Sequence, residues 1–145
     1  MIRYELVNPA GYMDSIRELM EANWAETGFD FPFNPSTQMY QAAVDAGVMF
    51  VMMAFDGDSI VGYCSMLVHP HLHNPAMIMA ANDALYVDPA YRSITGARLI
   101  RNAEQEAARR GASRVMWHTR SGTKLHAAMA RRGYKPADIV MMKEI

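Results

Sequence analysis

Between Met77 and Gly111 the sequence sets down a strand that stops at a proline, one short glycine-containing loop, and an amphipathic helix. Met77 to Val87 is apolar and ends at Asp88-Pro89, because proline has no N–H to give a ladder. Beyond the loop Leu99, Ile100, Ala103 and Ala107 recur at helical spacing, with Glu106 and Arg110 able to pair on the outside, and Gly111 closes the helix. A chain built this way must lay a helix on a sheet. The rest agrees. Ile2–Val7 alternates as a short strand, and Met13, Ile16, Leu19, Met20 and Trp24 mark a helix from Tyr12 to Thr27. Ser36 can cap a second helix running to Asp45, which Gly47 ends. Val48–Phe55 is a continuous apolar run, and Asp56-Gly57-Asp58 turns it into a second strand, Ser59–Val68. His69 to Pro75 is too rich in proline and histidine for regular structure, so a loop is expected. Arg114–Thr119 reads as a strand, Lys124–Arg132 as a helix ended by Gly133, and Ile139–Met142 as a last strand. The expected order is β-α-α-β-β-β-α-β-α-β, an α/β or α+β sheet layered with helices.

With 51% hydrophobic and 20% charged residues, the 145-residue chain can build a real core, which excludes a disordered or fibrous protein. No repeat, linker or low-complexity stretch divides it, so residues 1–145 are expected to form one domain. A net charge of -1 gives no reason to expect nucleic acid as a partner. No apolar run approaches the roughly 20 residues that span a bilayer, and Met1-Ile2-Arg3-Tyr4-Glu5 lacks the stretch of a signal peptide. Cys64 is the only cysteine, which excludes an internal disulfide and a four-cysteine zinc site. A soluble cytoplasmic protein with no membrane association is expected.

The stretch Leu85 to Leu99 carries the chemistry. Backbone N–H groups at a helix start are unpaired and can hold a phosphate. Gly96 and Ala97 leave room for close approach, Ser93 and Thr95 offer hydroxyls, and Arg92 and Arg98 add positive charge. On spacing alone, an ordinary strand-loop-helix connection with a surface arginine explains the same residues. The run Val87-Asp88-Pro89-Ala90-Tyr91-Arg92, leading into a Gly/Ala-rich loop, resembles the acyl-CoA-binding motif of the GCN5-related N-acetyltransferases (GNAT). The similarity extends to the two-helix N-terminal half, the hairpin, and the closing strand-helix-Gly133-Tyr134-strand order. A Thr-Gly in the loop and a His-rich turn resemble a phage- and prophage-associated branch.

That resemblance implies a central mixed, mostly antiparallel sheet flanked by helices, with acetyl-CoA as cosubstrate. It also implies direct attack of a small-molecule or peptide amine on the thioester, and homodimers are common in the family. Backbone groups at Tyr86 and Val87 would align the pantetheine arm, and Arg92, Ser93, Thr95, Gly96, Ala97 and Arg98 would surround the pyrophosphate. Thr95 departs from the family pattern, which has its first glycine there; Gly96 comes one place later. Cys64 is expected to be buried on a strand far from the motif.

An acetyl acceptor must lose a proton before it can attack, and Asp83, just before Leu85-Tyr86-Val87, matches the position of an acidic base in many relatives. Within an apolar strand, desolvation would raise its pKa. A strand-end carboxylate bonded to nearby backbone is the plain alternative. Relatives often place an acidic tyrosine four residues before the Gly-Tyr pair, which here is Met129. Tyr134 is expected to pack in the core, and His126 on the same helix is the candidate acid. His69, His71 and His73 alternate, but Pro70 and the lack of nearby acidic or cysteine ligands argue against a metal; His71 and His73 are assigned to the acceptor entrance. Trp117 and His118 fall on opposite faces, so at most one lines a cleft. Trp24 and the insert Phe29-Asp30-Phe31-Pro32-Phe33 would shape acceptor specificity, the carboxylate attracting a cationic amine; a satellite core under the loop is the other reading. The competing class is a non-catalytic domain of the same fold that binds acyl-CoA or a protein partner.

Overall fold

A computed structural model describes residues 1–145. Five strands form one sheet in the order β1 (Ile2–Val7), β2 (Met49–Asp56), β3 (Ser59–His71), β4 (Asn74–Val87) and β5 (Ala112–Met116). The first four pair antiparallel, whereas β5 joins β4 in parallel. A parallel neighbour needs a crossover, and the helix α3 (Ile94–Arg109) supplies it. The others are α1 (Met13–Thr27), α2 (Thr37–Asp45) and α4 (Lys124–Arg131). Ser36 caps α2, its hydroxyl accepting from the Met39 N–H at 3.2 Å.

Helices cover both faces of the sheet, which is why β2 is apolar throughout. Phe50, Met52, Cys64 and Met66 pack with Leu99, Ala103 and Ala107 of α3, and the alternate residues Val51, Met53, Phe55 and Tyr63 pack with Met13, Ile16 and Met20 of α1. A fully buried side chain such as Leu99 contributes roughly 1.5–3 kcal/mol. The helical stripe is as expected, but Glu106 is not on the outside: it is 7% exposed, because Arg109 and Arg110 fold over it with bonds of 2.6–2.7 Å. The hydrogen bond from Arg109 leads in holding its carboxyl below the ordinary range, against the opposing effect of burial.

The structure corrects four local expectations. His69–Pro75 is no loop: β3 runs through His71, β4 begins at Asn74, and only a tight turn lies between. Past Val68, whose N–H donates to Val48 O, the outer edge of β3 has no partner, so Pro70 removes no ladder bond. β5 ends at Met116, so Trp117–Thr119 lies outside the strand. Cys64 is fully buried but not remote, standing opposite Leu85 on the neighbouring strand.

The last expected strand does not form. Ile139–Met142 makes no backbone hydrogen bond and is 79–87% exposed. Its apolar residues state a β-propensity, but pairing makes a strand, and β5 remains the sheet's terminal strand. No helix is long and apolar enough to cross a membrane.

Candidate active site

The sheet divides along β4. Ile78 to Ala81 pairs with β5, ending at Ala81–Met116, after which Trp117–Thr119 leaves the ladder. At this point Asn82 spans the gap with its side chain: Oδ1 accepts from the His118 N–H at 2.6 Å, and Nδ2 approaches His118 O at 3.4 Å. The far wall is also tied to α3. The Trp117 indole N–H donates to Glu104 Oε1 at 2.9 Å, and the Tyr134 hydroxyl donates to the same oxygen. Burial, then the bond to Glu104, push the Tyr134 phenol up to about 12.

On its other edge β4 carries a bulge. Ser65 pairs with Ala84 and Met66 with Asn82, so Asp83 has no partner on β3. The bulge reverses the facing of the strand: Ile78 and Ala80 pack toward α3 before it, Leu85 and Val87 after it. Asp83 is therefore exposed and not immersed in the apolar strand. Its Oδ2 accepts from the Ser65 hydroxyl at 3.3 Å. The carboxylate is also close to Tyr40 of α2, whose phenol is raised by burial first and by Asp83 second. Burial likewise pushes up the phenol of Tyr63, which accepts from Asn23 at 2.9 Å. These groups gather on the side of the sheet covered by α1 and α2.

Along the second half of β4 the peptide groups alternate. The Asp88 N–H donates to Val61 O at 2.9 Å, so Tyr86, two residues earlier, also turns its peptide to β3. Leu85 and Val87 turn theirs to the split, where Val87 O receives Arg92 Nε at 2.9 Å. The sequence paired Tyr86 with Val87 for the pantetheine arm; the facing pair in the structure is Leu85 and Val87.

The chain then makes a 3₁₀ turn at Pro89–Tyr91, with Asp88 accepting from the Ala90 N–H at 2.8 Å, and enters α3 through Ser93 at φ 83°. The N–H groups of Arg92, Ser93, Ile94, Thr95 and Gly96 meet no protein acceptor; the first bond of α3 runs from Ala97 N to Ser93 O at 3.0 Å. Consecutive unpaired donors at a helix N-terminus form an anion cradle. The positive φ falls on Ser93 and not on Thr95, which explains why Thr95 can stand where the motif usually has glycine. Thr95 is packed inward, Gly96 and Ala97 are half-buried, and Arg98 is exposed. The Arg92 guanidinium is turned from the cradle, bonding Glu26 at 2.7 Å and lying 5.3 Å from the Tyr86 ring centroid. It ties α1 to the loop.

The other candidates scatter. His126 is exposed beyond the far wall, its Nδ1 3.2 Å from the Thr119 hydroxyl. Met129 is buried. Trp24, Phe29 and Phe31 stack on one another at 5.0–5.2 Å between centroids, beside the exposed Asp30. Arg120, following the far wall, lies 5.7 Å over Phe29. His71 and His73 sit at the β3–β4 tip with rings 5.6 Å apart, roughly 20 Å along β3 from Ser65 at about 3.3 Å per residue. The structure does not bring them to Asp83, and no three His, Cys, Asp or Glu side chains gather to hold a metal. Sequence reasoning missed Asn82, Tyr40, Glu104 and Arg120. Only Asn82 carried a signal, a polar residue beside Asp83 in a mostly apolar strand.

The site is thus an opened sheet edge beside a helix N-terminus whose first N–H groups are unpaired. The model of the acetyltransferase (GNAT) family matches residues 14–134, and the chain belongs to that family, whose members use acetyl-CoA. Solved structures agree in fold. An aminoglycoside acetyltransferase from an uncultured soil metagenomic sample, in complex with sisomicin, superposes with a TM-score of 0.78 at 17% identity, covering 99% of this chain and 96% of that one. A GCN5-related N-acetyltransferase from Ralstonia eutropha JMP134 gives 0.78 at 23%, covering 100% and 99%. A predicted acetyltransferase with acetyl-CoA from Clostridium acetobutylicum gives 0.78 at 12%, covering 99% and 96%. No curated protein matches the sequence.

Proposed function

We propose that the chain acetylates a primary amine by direct attack on acetyl-CoA, with Asp83 as the base. The observation that carries this reading is the bulge, which takes Asp83 out of the β3 ladder and leaves its carboxylate open beside the split. The N–H groups of Arg92 to Gly96 would hold the pyrophosphate, with Arg98 adding charge nearby, and Leu85 and Val87 would align the pantetheine arm. Acetyl-CoA supplies an activated acetyl thioester. The amine enters from the α1–α2 side, past the exposed edges of Phe29 and Phe31, with Asp30 attracting its charge.

Asp83 takes one proton of the incoming ammonium, directly or through water, and the freed lone pair attacks the thioester carbonyl; the C–S bond then breaks, the thiolate takes up a proton, and the new amide nitrogen gives its second proton to water. Met129 has no proton to give the departing thiolate. His126, beyond the far wall, is the candidate donor.

The test is CoA release from acetyl-CoA across a broad amine panel, with Asp83→Asn alongside. Asp83→Asn should lower kcat about 10²- to 10⁴-fold while binding acetyl-CoA as the wild type does. No release with any amine, or full turnover by the variant, sinks the reading.

A further inference from the structure

We propose that Asn82 is a positioning residue for the transfer: its amide sets the width of the split and the register of Asp83 against the far wall. The inference rests on the transferase reading above. Three observations meet at this one residue. The parallel ladder ends immediately before it, at Ala81–Met116, and the bulged residue Asp83 follows it directly. Asn82 is also 6% exposed, a buried polar side chain next to the exposed Asp83.

A primary amide offers the same donor and acceptor as a peptide group. Asn82 therefore takes the place of one strand residue: Oδ1 holds the His118 N–H at 2.6 Å, and Nδ2 is turned to His118 O at 3.4 Å. The Asn82 side chain and its hydrogen bond together stand between β4 and His118, so the two backbones are joined through a side chain and not by the direct peptide pairing that holds strands about 4.8 Å apart. His118 is thus held near β4 but outside its ladder, and on that side the peptide groups of Leu85 and Val87 meet no neighbouring strand; Val87 O takes Arg92 Nε instead. A backbone partner would zip the strands together and close the split; an apolar side chain would leave the wall untethered at this height. The next tether, from Trp117 to Glu104, runs to α3 and does not fix the distance to β4. Because Asp83 is covalently next to Asn82, the same amide that spaces the walls also fixes the base relative to them.

The experiment compares wild type with Asn82→Ala and Asn82→Asp, reading Kd for acetyl-CoA by calorimetry, KM for each substrate, kcat and Tm. His118 is exposed, so water can satisfy its peptide groups when the amide is removed, and Asn82→Ala should fold. A misplaced wall is expected to weaken acetyl-CoA binding, in Kd and KM, about 10- to 100-fold. The acceptor KM should stay within twofold to threefold of wild type. Asn82→Asp keeps the acceptor for the His118 N–H and loses the donor, so it should fall between the two. An unchanged Kd in both variants overturns the proposal, as does a loss of activity that follows Tm with both KM values intact. A wild type that binds acetyl-CoA but releases no CoA counts against the transferase reading alone, and the Kd comparison still decides Asn82.

Discussion

The two halves of β4 share one strand but live under different rules. From Ile78 to Ala81 it is paired on both edges, by β3 and β5, and Ala80 is wholly buried against α3. From Asn82 to Val87 it is paired by β3 alone. The first half spends its hydrogen bonds on the fold. The second keeps a row of peptide groups, the bulged Asp83, and the loop that leads to unpaired N–H groups at α3. The dividing line is two residues wide, an asparagine that replaces a strand partner and an aspartate with none. The sheet is thus opened by ending one pairing early, while both faces of the open half stay packed at Tyr86 and Val87.

The comparison breaks most sharply at the cradle. Gly96→Asp places a carboxylate at the third helical position of α3, where an added Cβ meets only Val87 Cγ2, at 3.9 Å. Aspartate suits a helix N-terminus, so Tm should hold or rise. The same carboxylate would occupy and repel at the unpaired N–H groups, displacing charge-assisted bonds worth roughly 1.5–3 kcal/mol each. Acetyl-CoA affinity should fall on the order of 100-fold, read by calorimetry. A variant that melts lower but binds normally would remove the cradle from the site.

Next in size is a matched pair of small insertions. At Gly62→Ala the new Cβ would stand 3.0 Å from Tyr86 O and 3.1 Å from Val87 Cγ2, in the open half. Ala80→Val adds bulk to a fully buried position in the paired half. Each should lower stability by about 1–3 kcal/mol, measured by denaturant titration. Only Gly62→Ala should also weaken acetyl-CoA binding, because only its new Cβ presses on Tyr86 and Val87, in the half of β4 that leads into the cradle. Equal effects on binding would mean that the halves are not distinct.

The sequence made the elements readable wherever side chains decide them. Leu99, Ile100, Ala103 and Ala107 had to face a core, and they do. Pro89 had to end β4, and the cradle follows from a helix beginning at a short loop. What it did not reveal depends on partners. Ile139–Met142 has strand composition but no pairing, while His69–His71 has loop composition and is held by Met79 and Ile78 across the hairpin. Asp83 was found by position, but its exposure comes from a bulge, a register property of two strands that no single segment encodes. Arg92 stands in the motif, and its ion-pair partner Glu26 lies 66 residues away. Long-range pairs of this kind leave no local pattern.

The smallest expected effect is at Ser93, and it separates backbone from side chain within the cradle. Ser93 is the one residue other than glycine with positive φ, at φ 83° and ψ -96°, and its hydroxyl makes no capping bond. That conformation is strained for any residue with a Cβ. Ser93→Gly removes the strain but loosens the unfolded chain, so the net gain should be about 0.5–1 kcal/mol, seen as a rise in Tm. The N–H stays where it was, so if peptide groups do the holding, Kd for acetyl-CoA should stay within about threefold. A tenfold loss of affinity with a higher Tm would instead assign the Ser93 hydroxyl a direct bond to the ligand. The cradle would then depend on a side chain, as the Asn82 tether does, and the open half of β4 would owe its binding to particular residues more than to its unpaired backbone.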